Sequence, residues 1–454
     1  MAAIRPAAVA GTFYPREARD LEREVAELID GVESLTPRFG HPKALIVPHA
    51  GYIYSGPVAA RAYDELAAAR GVVKRVVLLG PVHRVPVRGL ALPGVEAFDT
   101  PLGRIPVDTA AARALAPYRQ VVTSPAAHAM EHSLEVQLPF LQKMLGEFSL
   151  LPFAVGEARP QEVAEVVERL WGGPETLFVL STDLSHYHDY ESARAIDQAT
   201  LARIASFDTD LNHEEACGAT PLNGFLAAAR ARGLSIRLLG ACNSGDTAGG
   251  KDRVVGYSAF ALYEGARVSL EDAGAALLDI AHGTISHRLG LAPEAPLTDA
   301  AAWLTRPGAS FVTLMLEGRL RGCIGSLAAT RRLGEDVAQN ALAAALRDPR
   351  FAPLAAGDWR RCQLEVSVLS PAKPVRFGDE AELLAQLRVG EDGVILEHEG
   401  RRATFLPQVW EGLPEKRRFL EELMRKAGIP ESTRLARCKL WRYRVIKWKR
   451  AAPH

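Results

Sequence analysis

Between Pro42 and Tyr263 short apolar runs rich in β-branched residues alternate with alanine-rich amphipathic stretches. Uninterrupted apolar runs suit strands covered on both faces, and the amphipathic stretches suit helices that cover them. The alternation predicts an α/β domain with a mostly parallel central sheet and flanking helices. Four runs matter most: Ala44 to Val47, Arg75 to Leu79, Thr176 to Leu180 and Ser235 to Leu239. Each leads into a loop dense in polar chemistry: Pro48-His49-Ala50-Gly51-Tyr52, Gly80-Pro81-Val82-His83-Arg84, Ser181-Thr182-Asp183-Leu184-Ser185-His186 and Ala241-Cys242-Asn243-Ser244-Gly245-Asp246. Ligands of open α/β sheets sit beyond the carboxyl ends of strands, so the four loops are expected to converge if their strands are parallel neighbours. Glu131-His132-Ser133-Leu134-Glu135 opens a helical pattern and adds a fifth polar cluster.

At 454 residues the chain is longer than one hydrophobic core usually serves. After the alternating region the pattern changes. A helical stretch runs from Glu271 to Leu289, and two strand pairs flank Glu317-Gly318 and Glu399-Gly400 as hairpins. Further helical patterns at Glu335 to Arg347 and Pro414 to Ala427 make this half α+β, and we place the domains at 1–266 and 267–454. A composition of 48% hydrophobic and 24% charged residues excludes disorder as the default. Splitting the chain at 267/268 gives 26 basic against 31 acidic residues, then 28 against 23, so the halves carry −5 and +5. Such an imbalance favours docking of the halves over nucleic-acid binding. The tail from Lys439 to Arg450 interleaves Trp441, Tyr443 and Trp448 with cations; it can stack on bases, but its alternation reads more simply as a strand. Neither a leader-like start nor a run of 18 apolar residues occurs, which leads to the expectation of a cytoplasmic protein without membrane attachment. Five cysteines without a Cys-x-x-Cys pair are expected to be reduced thiols, neither a disulfide framework nor a structural zinc site.

Neutral imidazoles joined by a carboxylate or thiolate can hold one metal ion with positions left open for substrate. His49 and His83 fit that role. The third donor stays open: Asp246 would complete a two-His, one-carboxylate set favouring iron(II), and Cys242 would favour a softer ion such as copper. The plainer alternative is that both histidines cap turns. Asp183 and His186, with His188 nearby, suit proton transfer, as does His132 unless it only orients other groups. Tyr52 and Tyr54 line the pocket or pack beneath it. In the second half, Arg321 and Cys323 share a strand face by the two-residue period, so the guanidinium can favour the thiolate; alternatively Cys323 is a small buried hydrophobe. Glu365, in an apolar strand, needs a partner such as Arg321 or an edge facing water.

His49-Ala50-Gly51-Tyr52 with Tyr54-Ser55-Gly56, Gly80-Pro81-Val82-His83, Thr100-Pro101-Leu102-Gly103, Glu131-His132-Ser133 and Asp183-Leu184-Ser185-His186 together resemble the Memo (mediator of cell motility) family over residues 1 to 265. That family is similar in fold to class III extradiol ring-cleaving (LigB-type) dioxygenases, which use non-haem iron. The resemblance implies that His49 and His83 hold a metal and that His186 is an acid/base. In animal members a cysteine follows the Ser-rich segment, whereas here Cys242 precedes Asn243-Ser244-Gly245-Asp246, so Asp246 or an offset Cys242 takes its place. Leu320-Arg321-Gly322-Cys323-Ile324-Gly325, with Asp348-Pro349-Arg350-Phe351, Glu365-Val366-Ser367-Val368-Leu369 and Leu406-Pro407-Gln408-Val409-Trp410, resembles the AMMECR domain over 270 to 450. The fusion is similar to the AmmeMemoRadiSam system, which implies a radical S-adenosylmethionine protein as partner.

The expected function is a metal-dependent oxidoreductase or modification factor using iron(II) or copper on a small-molecule or peptide substrate. Cys323, Arg321 and Glu365 would contribute from the second domain. The rival is a non-catalytic module that binds a peptide or another ligand in the same cleft.

Overall fold

A computed structural model describes residues 3–32, 41–264, 269–293, 303–305, 307–430 and 432–451. The chain divides into two units, one holding the described residues up to 264 and the other those from 269 onward. The junction expected at 266/267 lies outside the described residues. No helix among the described residues is long and apolar enough to cross a membrane.

In the first unit the apolar runs become strands β1 (Ala44–Val47), β2 (Arg75–Pro81), β3 (Leu90–Leu92), β4 (Val121–Thr123), β5 (Ser149–Val155), β6 (Thr176–Ser181), β7 (His186–His188), β8 (Ser235–Asn243) and β9 (Val254–Tyr263). They form one nine-stranded sheet in the order β7-β9-β1-β6-β2-β5-β3-β4, with β8 also on β9. The pairs β1–β6, β6–β2 and β2–β5 are parallel, as is the outlying β3–β4. Strand β9 is antiparallel to β1, β7 and β8, and β3 is antiparallel to β5. The sheet is therefore mixed around a parallel centre, where a mostly parallel one was expected. Loop length explains the difference: segments 82–89 and 244–253 are shorter than the dozen or so residues a crossover needs, so the chain turns back after β2 and β8.

The central strands alternate between two cores. Leu45, Val47, Leu78 and Val179 face helix α1 (Tyr52–Asp64), while Ile46, Leu79, Phe178 and Leu180 face α2 (Pro160–Leu170) and α3 (Ala219–Ala231). Each such side chain contributes about 1.5–3 kcal/mol on full burial, which anchors the strand ends. Because β1, β6 and β2 run the same way, His49, Asp183 and His83 emerge at one edge.

The second unit is α+β, as the sequence pattern predicts. Strands β10 (Ser310–Leu316), β11 (Arg319–Gly325), β12 (Cys362–Leu369), β13 (Lys373–Val375), β14 (Gly393–His398), β15 (Arg401–Phe405), β16 (Lys439–Tyr443) and β17 (Val445–Arg450) form two sheets, ordered β11-β10-β12-β17 and β13-β16-β14-β15. Helices α4 (Leu270–Arg288) and α5 (Leu333–Leu346) cover one face of the first sheet, and α6 (Lys416–Ala427) covers the second. Both expected hairpins form. Their turns place Glu317-Gly318 (φ 50° and 76°) and Glu399-Gly400 (48° and 78°) in the left-handed region, the pair of angles that matches strand twist. The basic tail supplies one strand to each sheet. Tyr443 is fully buried and Trp448 packs on the core beneath α4, so these two aromatics serve packing.

Candidate metal centre

At the shared strand edge of the first unit, His49 follows β1 and His83 follows β2. The His49 backbone N–H donates to Asp183 Oδ1 (2.7 Å). Its Nδ1 lies 2.9 Å from Ser181 Oγ. That hydroxyl gives its single proton to the Ser133 carbonyl (2.6 Å), so His49 must donate through Nδ1–H, which leaves the Nε2 lone pair facing the cavity. His83 is set the same way: its Nδ1 is 2.8 Å from Glu131 Oε1, a carboxylate that only accepts, and its backbone N–H donates to Glu131 Oε2 (2.7 Å). The short helix His132–Glu135 docks against β2 through a Ser133 hydroxyl that donates to the Pro81 carbonyl (2.9 Å). This brings His132 over His83, with ring centroids 4.6 Å apart, and its Nδ1 within 3.4 Å of Glu131 Oε1. One carboxylate thus stands behind two imidazoles.

His49, His83 and His132 each offer one ring nitrogen, and these atoms lie within 4.8 Å of one another. Three ligands about 2.1 Å from one ion stand about 3.4–3.6 Å from one another, so modest side-chain shifts bring these nitrogens onto a single ion. Two of the three rings, His49 and His132, are held neutral. Burial, helped by the other two rings and His186, pushes His49 well below its usual value. Burial also takes His132 to about 4, against the pull of Glu131. Neutral imidazole is the form that ligates. Glu131 is buried too, but the hydrogen bond and charge of His83 hold it at about 2, so it remains a carboxylate. The donor set therefore fits a single metal ion.

The surrounding cavity, of about 860 Å³, is lined by Phe13, Tyr54, Asp183, His186, Tyr187 and Cys217 as well as the three histidines. Burial raises Asp183 to about 7, against the His49 N–H bond that lowers it, and burial lowers His186. Tyr187 holds left-handed backbone (φ 63°) at the cavity lip, a strained conformation for a bulky residue. A second cavity of about 1260 Å³ shares His83, His213 and Cys217 with the first.

Neither Asp246 nor Cys242, the expected third donors, joins the histidine group. Strand β8 does run in the sense of β1, but β9 lies between them. Cys242 pairs with Tyr257 on β9, roughly two strand spacings, about 10 Å, from the line of β1. Asp246 turns back on its own loop, accepting from the Tyr190 hydroxyl (2.5 Å) and the Asn243 N–H (2.9 Å). His132, expected to move protons or orient neighbours, is instead grouped with His49 and His83. Tyr52 is a core residue that donates to the Val136 carbonyl (2.7 Å), whereas Tyr54 does line the cavity.

Two site residues escaped the sequence reading. In the sequence Glu131 stands only as part of a helix opening, although an acidic residue beside a histidine is the available signal. Cys217 arrives from the loop before α3, which no strand-end rule reaches; its Sγ lies 3.3 Å from His49 Nε2.

In the second unit a bulge between Leu314 and Met315 interrupts the register of β11 with β10, and Arg321 has no strand partner. Its guanidinium donates to the Ala352 carbonyl (2.7 Å). The alternation that would aim Arg321 along Cys323 is broken there. Glu365 pairs with Lys449 (3.3 Å), not with Arg321. All five cysteines are free thiols.

Comparison with known proteins bears on both units. The family described as "Memo-like protein" matches residues 5–261, and the family described as AMMECR1 matches 278–448. Curated relatives are MEMO1 family proteins. That of Aquifex aeolicus is 34% identical over 267 residues, covering 56% of this chain and 97% of its own. Those of Aeropyrum pernix and Ignicoccus hospitalis are each 37% identical, covering 56% of this chain and 98% and 97% of their own. A crystal structure of an uncharacterised protein from Pyrococcus horikoshii aligns with 40% of this chain and 92% of its own, at 29% identity and a TM-score of 0.37.

Proposed function

Given that this chain belongs to the Memo-like protein family and carries an AMMECR1 domain after the Memo domain, we propose that its first unit is a metal-dependent oxidoreductase or modification factor whose ion is held by His49, His83 and His132. The observation that carries this reading is the cluster of three imidazoles with a buried carboxylate behind two of them. Bound there, iron(II) or copper would supply Lewis acidity and redox capacity toward oxygen donors of a substrate, in keeping with the dioxygenase-like character of the family. Glu131 fixes the two rings it touches, as a carboxylate does for metal-bound histidines. Asp183 Oδ2, 3.9 Å from His49 Nε2, exchanges a proton near neutral pH, since Oδ1 is already engaged by the His49 N–H. His186 provides a second proton-transfer group on the same wall. Phe13, Tyr54 and Tyr187 give the cavity aromatic surface, and its volume matches a small-molecule substrate.

The second reading, a non-catalytic module for a peptide or larger ligand, is favoured by the adjoining cavity that shares His83 and Cys217. A radical S-adenosylmethionine protein as partner is supported by the fusion of the two domains, and such a partner admits an oxygen-free reaction.

Elemental analysis of the full chain after anaerobic purification tests the reading. We expect about one iron or copper per chain, lost in His132→Ala and in the His49→Ala, His83→Ala double variant but kept in Asp246→Ala. Absence of metal in the wild type, even after reconstitution with each ion, would overturn it and leave the binding module.

A further inference from the structure

His132 reaches the metal centre on a helix of a single turn, His132–Glu135. One turn is far below the length at which a helix holds itself in water, so the position of this ligand has to be imposed from outside. Ser133 ties the turn to β2, and Glu131 ties it to His83. A further set of bonds comes from the segment between Arg5 and Tyr14.

Glu135 stands three residues after His132, so the two share a helix face. Its fully buried carboxylate accepts from Arg5 Nη1 (2.6 Å), the Ala8 N–H (2.8 Å to Oε2), the Val9 N–H (2.9 Å) and the Tyr14 hydroxyl (2.6 Å). Arg5 continues into the backbone before the helix, donating through Nε to the His128 carbonyl (2.6 Å) and through Nη2 to the Glu131 carbonyl (2.8 Å). A planar guanidinium engaged at all three nitrogens fixes the turn that precedes His132. Phe13 closes the arrangement. Its ring rests against the His132 imidazole (centroids 4.7 Å apart, planes at 38°), and its carbonyl accepts from the Tyr52 N–H (2.8 Å), three residues beyond His49. The same segment therefore joins the loop of one ligand to the helix of another. Around Phe13 the chain turns tightly, with Gly11 in the left-handed region (φ 87°) and its N–H donating to the Tyr14 carbonyl (2.7 Å), which sets the course of the segment.

We propose that the segment from Arg5 to Tyr14 is the positioning strap of the metal centre, holding His132 at the spacing from His49 that one ion requires, so that ion binding and strap docking reinforce each other. Arg5 and Tyr14 act on the ion only through Glu135 and the backbone of the turn, which makes them positioning residues. The coupling is reciprocal: whatever factor the strap contributes to affinity, the ion returns to the docking of the strap. This inference rests on the metal reading of the three histidines.

Tyr14→Phe is the sharpest test, because Tyr14 does not line the cavity and the variant loses only the hydroxyl bond to Glu135. Arg5 variants endanger the fold of the unit. Phe13→Leu and Phe13→Tyr give a second pair: the first loses the ring at His132, and the second keeps it. Iron(II) or copper, whichever the wild type takes up, is titrated anaerobically into the metal-free full chain. Affinity should fall about 10-fold in Tyr14→Phe and about 10- to 100-fold in Phe13→Leu, the range for groups that orient metal ligands, and return in Phe13→Tyr. A second readout needs no metal. Carbethoxylation of His132 by diethylpyrocarbonate in the metal-free chain, read by peptide mass mapping, should be faster in Tyr14→Phe than in the wild type, with the exposed His188 as internal reference. Wild-type affinity together with an unchanged His132 rate in Tyr14→Phe would overturn the proposal. A wild type that takes up neither ion would sink the metal reading instead, and the His132 rate then decides by itself whether the strap places that ring.

Discussion

The two units build polar chemistry in different ways. In the first, groups far apart in sequence meet in enclosed surroundings where each charge is neutralised or paired: His49 and His132 neutral through burial, Glu131 kept a carboxylate by His83, and Arg5 enclosed with Glu135 at 2.6 Å. In the second, the groups lie along a strand row and its neighbours, and their cations stay near solvent, as with Lys449, 67% exposed, against Glu365. The difference teaches where electrostatics can carry energy. An enclosed charge must be paired or neutralised, whereas an exposed one is screened and acts through selectivity.

The largest effect should come from the enclosed pair. Glu135 also accepts from Ala8 N–H, Val9 N–H and the Tyr14 hydroxyl, so Arg5→Met leaves a fully buried carboxylate without its cation. We expect a loss of about 3–5 kcal/mol, seen by hydrogen exchange as lost protection in peptides of the first unit only. Unchanged protection would break the contrast.

Acidification comes next. Burial lowers His128 to about 4, against its bond to the Ala91 carbonyl. A depressed histidine favours the native state above its unfolded value near 6.5, and that contribution is lost as pH falls from there to about 4, because the unfolded chain takes up the proton first. The loss is of order 2–3 kcal/mol for His128, with His132 adding a similar one. Urea unfolding at pH 7 and pH 4.5 should therefore weaken the first unit more than the second, and His128→Gln should reduce the difference.

Glu131→Gln should weaken metal binding about 10- to 100-fold without unfolding the unit, because it removes the orienting charge and spares the backbone. Metal titration reads this directly; unchanged affinity would remove Glu131 from the account. The smallest effect is expected for Lys449→Ala, at most about 1 kcal/mol in thermal unfolding, given its exposure. A larger loss would show that the open sheet face is more enclosed in solution than its geometry indicates.

These contrasts track what the sequence could disclose. His49, His83 and Asp183 were legible because each follows an apolar run, and strand direction alone brings them to one edge. The grouping of His132 was not, since it depends on a short helix docking through Ser133 and Pro81. Cys242 shows the limit of the strand-end rule: it predicts the correct edge of the sheet but not lateral position, and β9 separates it from β1. In the second unit the hairpins could be read from Glu317-Gly318 and Glu399-Gly400. The pairing of Arg321 with Cys323 could not, because a bulge breaks the alternation on which it rested.

X-ray absorption spectroscopy of the metal-loaded full chain tests the central claim most directly. Three imidazoles predict a first shell of nitrogen or oxygen near 2.1 Å with outer scattering from imidazole rings, lost in His132→Ala. A sulfur shell near 2.3 Å, placing Cys217 or Cys242 on the ion, would contradict it.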